Sequence, residues 1–200
     1  MKMKVLFVGN SYTYFYDMPK AIFAPLSESI GYETDVTAVT AGGYYLSQFA
    51  DPENPEGQRL REVIQNQHYD AVVLQEQSTY PVRDPEAFIR SVGKMRELLS
   101  PHTHTFVLYA TWGRHENCPI LRDLGLSSAE MTDRLSFAYH KAAERHGMDV
   151  ADVGRAFAAY AEQHGQDGLF DPDGSHPSAL GSRIAAETIL AALTAALAKG

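Results

Sequence analysis

Short runs of apolar residues recur along the chain, and most of them are bounded by charged or turn-forming residues. A run that is apolar throughout is typical of a strand buried on both faces of a sheet. The segment from Thr34 to Thr40 alternates instead and is rich in β-branched residues, which also favours a strand. The five strands predicted in this way cover residues 4–8, 34–40, 70–74, 105–110 and 149–153.

Between these runs, apolar residues recur at the spacing of an amphipathic helix. Pro19 and Gly31 fit the first turn and the C-terminal cap of one helix. Ser127 and Glu130 form a capping box at the start of another. The predicted helices cover residues 19–31, 56–67, 85–99, 127–147, 154–163 and 178–198. Strands that alternate with helices predict an α/β protein whose parallel sheet has helices on both faces.

No repeat, low-complexity run or linker interrupts this alternation, so we expect a single domain over residues 1–200. The stretch from Arg114 to Leu126 has no clear periodicity and is too long for a simple connection. Loops of that length are often functional. We therefore predict an irregular segment there, with a lid or a subunit contact as its possible roles.

Composition limits the classes of function. The net charge of −8 and the pI of about 5.4 argue against a nucleic acid or an anionic lipid as partner. The lone Cys118 excludes an internal disulfide framework and is compatible with a reducing compartment. The apolar run after Met1 is too short for a signal peptide, and the stretch from Thr188 to Ala198 is shorter than a membrane span of about 20 residues. We expect a cytoplasmic protein without membrane insertion.

Several polar or glycine-rich segments follow directly after predicted strands, where open parallel sheets bind their ligands. They are Ser11, Gly42-Gly43, Gln75 to Gln77, and Trp112. Ser11 lies where a buried strand runs into a helical pattern, and a helix N-terminus supplies free N–H groups and positive potential. The loop from Gly9 to Thr13 therefore suits either an anion or a nucleophile.

A serine nucleophile needs a base, and the base needs an acid that orients it. Asp173 and His176 lie three residues apart in a Pro-Asp-Gly turn. That spacing lets the carboxylate accept a hydrogen bond from one imidazole nitrogen while the other nitrogen faces outward. The alternative is a plain turn, because Asp-Gly is common turn chemistry and Pro177 is an ordinary first residue of a helix.

Taken together, four segments resemble the four sequence blocks of the SGNH (GDSL-like) hydrolases, in the same order. They are residues 9–13, 42–43, 75–78 and 173–178. Residues 74–78 and 111–114 look like a bacterial subgroup known largely as a domain of unknown function. The resemblance implies a three-layer α/β/α, flavodoxin-like fold with a five-stranded parallel sheet in the order 2-1-3-4-5.

The resemblance also implies a serine esterase that uses no cofactor and no metal. Ser11 would be the nucleophile, His176 the general base and then acid, and Asp173 the group that orients the imidazole. The expected substrate is a small-molecule ester, with acylated sugars and lipids as candidate classes. Oligomeric state is left open.

In the family, the oxyanion hole consists of the serine N–H, a glycine N–H and an asparagine side chain. The Ser11 amide and Gly43 fit the first two donors, with Gly42 as the neighbouring alternative. Gln77 stands where the asparagine is expected. Either Gln77 supplies the donor, or Gln75 does, or the hole has backbone donors alone. Losing one such donor costs about 2.7–4 kcal/mol.

Further residues around this loop are predicted to contact substrate: Asn10, Tyr12, Gly42, Gln75 and Trp112. Asn10 stands where the family usually has aspartate, so any charge at that place is lost. Arg114 has two interpretations, since it either engages a substrate carboxylate or pairs with a surface glutamate.

Two rival functions stay open. The loop at Ser11 suits the phosphate of FMN in a flavodoxin-like binding module, in which case Asp173 and His176 would be together by accident. A non-catalytic relative that only binds glycans would keep the cleft without turnover. The local grouping of His102, His104 and His115 lacks the ligand spacing of a metal site.

Overall fold

The computed structural model describes residues 1–199 and is organised around a five-stranded β-sheet. The strands are β1 (Lys2–Gly9), β2 (Glu33–Thr40), β3 (Ala71–Leu74), β4 (Phe106–Ala110) and β5 (Asp149–Asp152). They lie in the order β2-β1-β3-β4-β5, and every neighbouring pair is parallel. The predicted fold class and strand order are confirmed.

Helices connect successive strands. They are α1 (Ser11–Tyr14), α2 (Ala24–Ser29), α3 (Leu46–Ala50), α4 (Pro55–Ile64), α5 (Tyr80–Arg83), α6 (Pro85–Leu99), α7 (Pro119–Leu124), α8 (Ser128–His146), α9 (Val153–His164) and α10 (Ala179–Leu197). The capping box at Ser127 and Glu130 is present at the start of α8. The helix predicted from Pro19 instead begins as a π-helix, Met18–Phe23, before it continues as α2.

The stretch from Arg114 to Leu126 is not irregular throughout, because α7 lies within it. This helix has only six residues, which is too short to show a periodic pattern in the sequence. Gly125 ends it in the left-handed conformation, with φ of 65°. Ahead of the helix, the His115 amide donates to the carbonyl of Gly174 at 2.9 Å, so this stretch packs beside the Asp173–His176 turn.

Alternate residues of the strands enter two separate apolar cores. Leu6 and Val8 of β1 face the core formed with α3, α4, α6 and α8. Val5 and Phe7 face the opposite core, formed with the π-helix, α9 and α10. Both faces of the sheet are therefore covered, as near-continuous apolar strands require.

One helix within residues 1–199, α10, is long and apolar enough to cross a membrane by length and composition alone, with 44% of its most apolar window buried. A core helix passes the same test. Ala185, Ile189 and Leu193 of α10 are fully buried in the core that covers one face of the sheet. The bounds of α10 agree with the helix predicted over residues 178–198, and the run from Thr188 to Ala198 is only the C-terminal half of that helix.

Candidate active site

The junction of β1 and α1 brings Ser11 to the carboxyl edge of the sheet, as the first residue of α1. Asn10 is the N-cap of this helix, and its Oδ1 accepts a hydrogen bond from the Tyr12 amide at 3.2 Å. Asn10 Nδ2 donates to the carbonyl of Tyr44 at 3.0 Å, which ties the loop after β2 to the loop of Ser11. Asn10 is almost fully buried, and its two hydrogen bonds hold the Ser11 loop in position.

Gln75 supports the same junction from β3. Its Oε1 accepts from the Asn10 amide and from Thr13 Oγ1, both at 2.9 Å, and its Nε2 donates to the carbonyl of Glu76. Only 1% of its surface is exposed. Both ends of the Gln75 amide are therefore occupied inside the protein, which does not fit the predicted substrate contact or the alternative oxyanion role.

The turn between α9 and α10 brings His176 and Asp173 to Ser11. His176 Nε2 lies 2.8 Å from Ser11 Oγ, and His176 Nδ1 lies 2.5 Å from Asp173 Oδ2. Asp173 Oδ1 accepts from the amides of Ser175 and His176, each at 2.9 Å. Gly174 takes a left-handed φ of 65° in the tight turn that makes these contacts possible.

The pKa of Asp173 lies below its ordinary value. Partial burial raises this pKa, but hydrogen bonds from the His176 ring and from the two backbone amides, with the charge of the imidazole, outweigh it. Asp173 is thus held as a carboxylate, which fixes the proton of a neutral His176 on Nδ1 and leaves Nε2 as an acceptor towards Ser11.

Aromatic rings hold the His176 ring in place. Phe15 stacks on it with ring centroids 4.1 Å apart and planes 7° apart, and Tyr12 meets it edge-on at 5.5 Å. Tyr12 in turn stacks on Trp112 at 4.7 Å, and its hydroxyl lies 2.7 Å from Ser175 Oγ. Burial raises the pKa of Tyr12, so its hydroxyl stays protonated.

The prediction that Trp112 contacts substrate does not agree with its position. Trp112 has no exposed surface, and its Nε1 donates to the carbonyl of Ser175 at 3.1 Å. It lies beneath the turn that contains Asp173 and His176 and stacks on Phe157 from the other side, at 4.3 Å. Its large apolar ring is a support for Tyr12 and for the turn.

A cleft of about 370 Å³ opens above Ser11. Residues from five separate chain segments line it: Asn10, Ser11, Tyr12, Gly43, Gln77, Ser78, Arg114, Asp173, Ser175 and His176. Gly42 is exposed but does not line this cleft, whereas Gly43 does, with a left-handed φ of 73°. The amides of Ser11 and Gly43 donate no hydrogen bond within residues 1–199.

Gln77 reaches the cleft with its amide in a defined orientation. Its Oε1 accepts from the Thr79 amide at 2.8 Å, the Thr79 hydroxyl at 3.0 Å and the Tyr80 amide at 3.1 Å. The oxygen is therefore turned towards the start of α5, and Nε2 is left without a protein acceptor in the described part of the chain. Together with the amides of Ser11 and Gly43, it gives the cleft three unengaged N–H donors.

Glu76, for which no role was predicted from the sequence, is fully buried and precedes Gln77 of the cleft. Its Oε1 accepts from the amides of Leu46 and Gln77, at 3.1 and 2.6 Å, while Oε2 has no hydrogen-bond partner among residues 1–199. Burial raises the pKa of Glu76 to about 8, although the two amide hydrogen bonds act in the opposite direction. The carboxyl is accordingly protonated at neutral pH and leaves the cleft without a second acidic charge.

Among residues 1–199, the His, Cys, Asp and Glu side chains form no group of three or more that could hold a metal ion. His102 is part of a structural contact, with Nδ1 lying 2.9 Å from the carbonyl of Gln67.

No protein-family model matches the sequence, and no curated protein matches it. Solved structures do. A protein from Slackia heliotrinireducens assigned to the SGNH hydrolases is 32% identical, with a TM-score of 0.84 over 96% of this chain and 100% of that one. The chain belongs to the SGNH hydrolase family.

Other structures share the SGNH hydrolase fold at lower identity. A DUF4886 family protein from Bacteroides uniformis matches with a TM-score of 0.80 and 17% identity, over 98% of this chain and 84% of that one. The acetylxylan esterase Axe2 from Geobacillus stearothermophilus matches with a TM-score of 0.64 and 16% identity, over 96% and 94% of the two chains. These two likenesses concern the fold alone.

Proposed function

We propose that this SGNH hydrolase is a serine esterase that cleaves an acyl ester through a covalent acyl-enzyme. The observation that carries the proposal is the row of hydrogen bonds from Ser11 Oγ to His176 Nε2 and from His176 Nδ1 to Asp173 Oδ2, at 2.8 and 2.5 Å. Nucleophile, base and orienting acid within hydrogen-bond reach are the arrangement that activates a serine.

In the first step, Ser11 Oγ attacks the ester carbonyl carbon while His176 Nε2 takes the hydroxyl proton. The developing oxyanion accepts hydrogen bonds from the amides of Ser11 and Gly43 and from Gln77 Nε2. His176 then gives its proton to the departing alcohol oxygen as the carbon–oxygen bond breaks. In the second step, water attacks the acyl-enzyme, with His176 again as base, and releases the acid and free Ser11.

Asp173 stabilises the imidazolium that forms in both steps. Its low pKa keeps it ionised through the cycle, and its bonds to two backbone amides fix its position. The stack of Phe15 on the imidazole restricts the ring to the orientation in which Nε2 faces Ser11.

The FMN-binding alternative is less well supported, because most donors of the first loop are already used. The Asn10 and Tyr12 amides bond to side chains, and the Thr13 amide bonds to the Asn10 carbonyl at 2.9 Å. Within this loop the Ser11 amide alone is left for a phosphate, whereas phosphate-binding loops offer several successive backbone N–H groups at once.

For the substrate, an acetylated carbohydrate is the first class to test, since the fold is shared with a protein named as an acetylxylan esterase. A panel of acetylated sugars and of acyl esters of graded chain length would place the acyl and alcohol preferences. The same panel separates an esterase from a relative that only binds glycans, because the latter binds without releasing acid.

The experiment is turnover of a short p-nitrophenyl ester by three variants. Ser11→Ala and His176→Ala should each abolish turnover while leaving the circular-dichroism spectrum and the melting temperature close to those of the wild type. Ser100→Ala, at an exposed helix end, is the matched serine control and should retain the wild-type rate. Full activity in Ser11→Ala or His176→Ala would contradict the proposal.

A further inference from the structure

Arg114 places a cationic side chain in the cleft that contains Ser11 and His176. Gly113, the residue before Arg114, holds the backbone close to α8. Its amide donates to Thr132 Oγ1 at 2.9 Å, and a Cβ on Gly113 would overlap the carbonyl of Ser128. Arg114 Nη2 donates to Ser78 Oγ at 2.8 Å. The guanidinium is therefore held at the cleft by neutral groups.

No carboxylate in the described part of the chain forms an ion pair with this guanidinium. None of the ion pairs within residues 1–199 includes Arg114, which removes the interpretation of a surface pair with glutamate. The acid in the same cleft, Asp173, already uses its oxygens on His176 and on two backbone amides. Glu76 is protonated and faces Leu46 and Gln77.

The hydrogen-bond donors of Arg114 are also largely unused. A guanidinium has five N–H donors and no acceptor. One of them reaches Ser78, and one lies 3.9 Å from the Sγ of Cys118, a weak acceptor. Nε is buried and has no partner among the described residues. Partly buried N–H donors without acceptors cost free energy unless another group accepts their hydrogen bonds.

We propose that Arg114 is a specificity residue that binds an anionic group, a carboxylate or a phosphate, on the ester substrate. The planar guanidinium matches either oxyanion through two parallel hydrogen bonds. The inference rests on the proposed esterase function and adds a substrate class: esters that carry a negative charge beside the bond to be cleaved. The chain carries a net charge of −8, so a local cation at the cleft favours the binding of such a substrate.

The test uses acetate esters that differ only in charge. The pair is para-acetoxybenzoate and its neutral isostere para-acetoxybenzamide, with the meta isomers to vary where the charge falls. An acetoxyphenyl phosphate forms a separate arm that distinguishes phosphate from carboxylate. The quantity measured is the ratio of kcat/KM for the anionic ester to kcat/KM for the neutral one, which cancels general losses from disturbed packing.

The wild type should prefer at least one anionic ester over its neutral isostere. Arg114→Gln should lower that ratio by about 10- to 100-fold, as expected for loss of a charged hydrogen-bond partner. Arg114→Lys should retain part of the ratio, since it keeps the charge without the planar fork. Arg122→Gln removes an exposed arginine from α7 outside the cleft and should leave the ratio unchanged.

If the anionic-to-neutral ratio of kcat/KM is the same in wild type and Arg114→Gln for both anions, the inference is overturned. This includes the case in which Arg114→Gln slows the anionic and the neutral ester equally, as it would if Arg114 contacted the oxyanion. Failure of the esterase proposal has a different signature: no turnover of the neutral esters either, or turnover that survives Ser11→Ala. In that case calorimetric binding of para-hydroxybenzoate, para-hydroxybenzamide and phenyl phosphate still decides the inference. Anion binding should weaken in Arg114→Gln, and affinities that do not change would reject it.

Discussion

The two ends of the Gln77 amide have different surroundings. Its oxygen accepts three hydrogen bonds at the start of α5, and this fixes its nitrogen towards the cleft. The longer glutamine side chain is accommodated here by capping the turn that follows it. The oxyanion role of Gln77 stays a prediction that depends on this orientation.

Gln77→Glu tests that role more sharply than truncation does. A carboxylate keeps the oxygen that caps α5 but lacks the N–H donor and brings negative charge to the developing oxyanion. We expect kcat to fall by about 10²- to 10³-fold, the cost of one oxyanion donor. The melting temperature should stay close to the wild-type value, whereas Gln77→Ala, which also loses the cap, should lower both. A wild-type kcat in Gln77→Glu would remove the side chain from the oxyanion hole.

Asp173→Asn addresses the orientation of the imidazole. The Asn oxygen can still accept from the backbone amides of Ser175 and His176, so the turn should persist. Its NH₂ group, however, would donate to His176 Nδ1 and force the ring proton onto Nε2. A protonated Nε2 cannot accept the proton of Ser11. We expect kcat to fall by about 10³- to 10⁴-fold in ester-hydrolysis assays, similar to the loss known for the corresponding change in serine proteases. A loss of less than tenfold would show that the carboxylate is dispensable.

At this scale the sequence predicted which residues meet but not how they are oriented. Ser11, Asp173 and His176 were identifiable because their segments together resemble sequence blocks of one family, since the turn at Asp173 taken alone also fits a plain turn. The orientation of the Gln75 amide depends on Asn10 and Thr13, which are remote from it in the chain, so no local pattern reveals it. The orientation of the Gln77 amide depends on Thr79 and Tyr80, a local contact for which the sequence carries no distinctive motif. Trp112 was misplaced because whether an aromatic ring faces the cleft or the core is decided by the surrounding helices.

At the scale of elements, the junction of β1 and α1 depends on Gly9. A Cβ there would lie 2.7 Å from Gln75 Oε1 and would overlap Thr13 Oγ1, the two atoms that join the end of β3 to the Ser11 loop. The backbone of β1 can thus approach β3 closely only where no side chain intervenes. The glycine is required by this close approach, since its φ is not left-handed.

We therefore expect Gly9→Ala to lower the free energy of unfolding by about 1–3 kcal/mol, as overpacking of a filled site does. Activity should also fall, because the bond from Gln75 to the Asn10 amide would be displaced. Gly168→Ala is the matched control, since a Cβ there meets only Leu180 Cδ2 at 3.6 Å, an ordinary contact. Urea denaturation of both variants measures the difference, and equal stability would contradict this account of the junction.

Elements with strong periodicity or clear caps were predictable, and short ones were not. The helix from Pro85 to Leu99 and the capping box of α8 agree with their sequence signals. The short helices α5 and α7 have four and six residues, less than two turns of pattern each. The π-helix from Met18 to Phe23 depends on how its backbone packs on α10, which has no local signature.

At the scale of the whole molecule, Glu76 connects the sheet to helices on one face. Its carboxyl accepts from Leu46 of α3, and its amide donates to the hydroxyl of Tyr139 on α8 at 3.1 Å. The folded protein keeps this carboxyl protonated up to about pH 8, whereas an unfolded chain ionises it near its ordinary value of 4.5. The folded state therefore binds one more proton than the unfolded state across that interval.

This linkage predicts how stability varies with pH. The contribution of Glu76 is fully present below about pH 4.5 and is lost as the pH rises to about 8, by up to about 1.4 kcal/mol per pH unit. Glu76→Gln, which cannot ionise, should lack this loss. Urea denaturation at several pH values should show that the free energy of unfolding of the variant rises relative to that of the wild type between pH 5 and pH 8. A difference independent of pH would show that Glu76 is ionised in the folded protein.

The central claim, that Ser11 is an activated nucleophile, is tested most directly by intact-protein mass spectrometry after treatment with a fluorophosphonate. The account predicts one phosphonyl adduct, mapped by peptide sequencing to Ser11, absent from Ser11→Ala and strongly slowed in His176→Ala. Folded wild-type protein that acquires no adduct at Ser11, or that is labelled equally fast without His176, would contradict it.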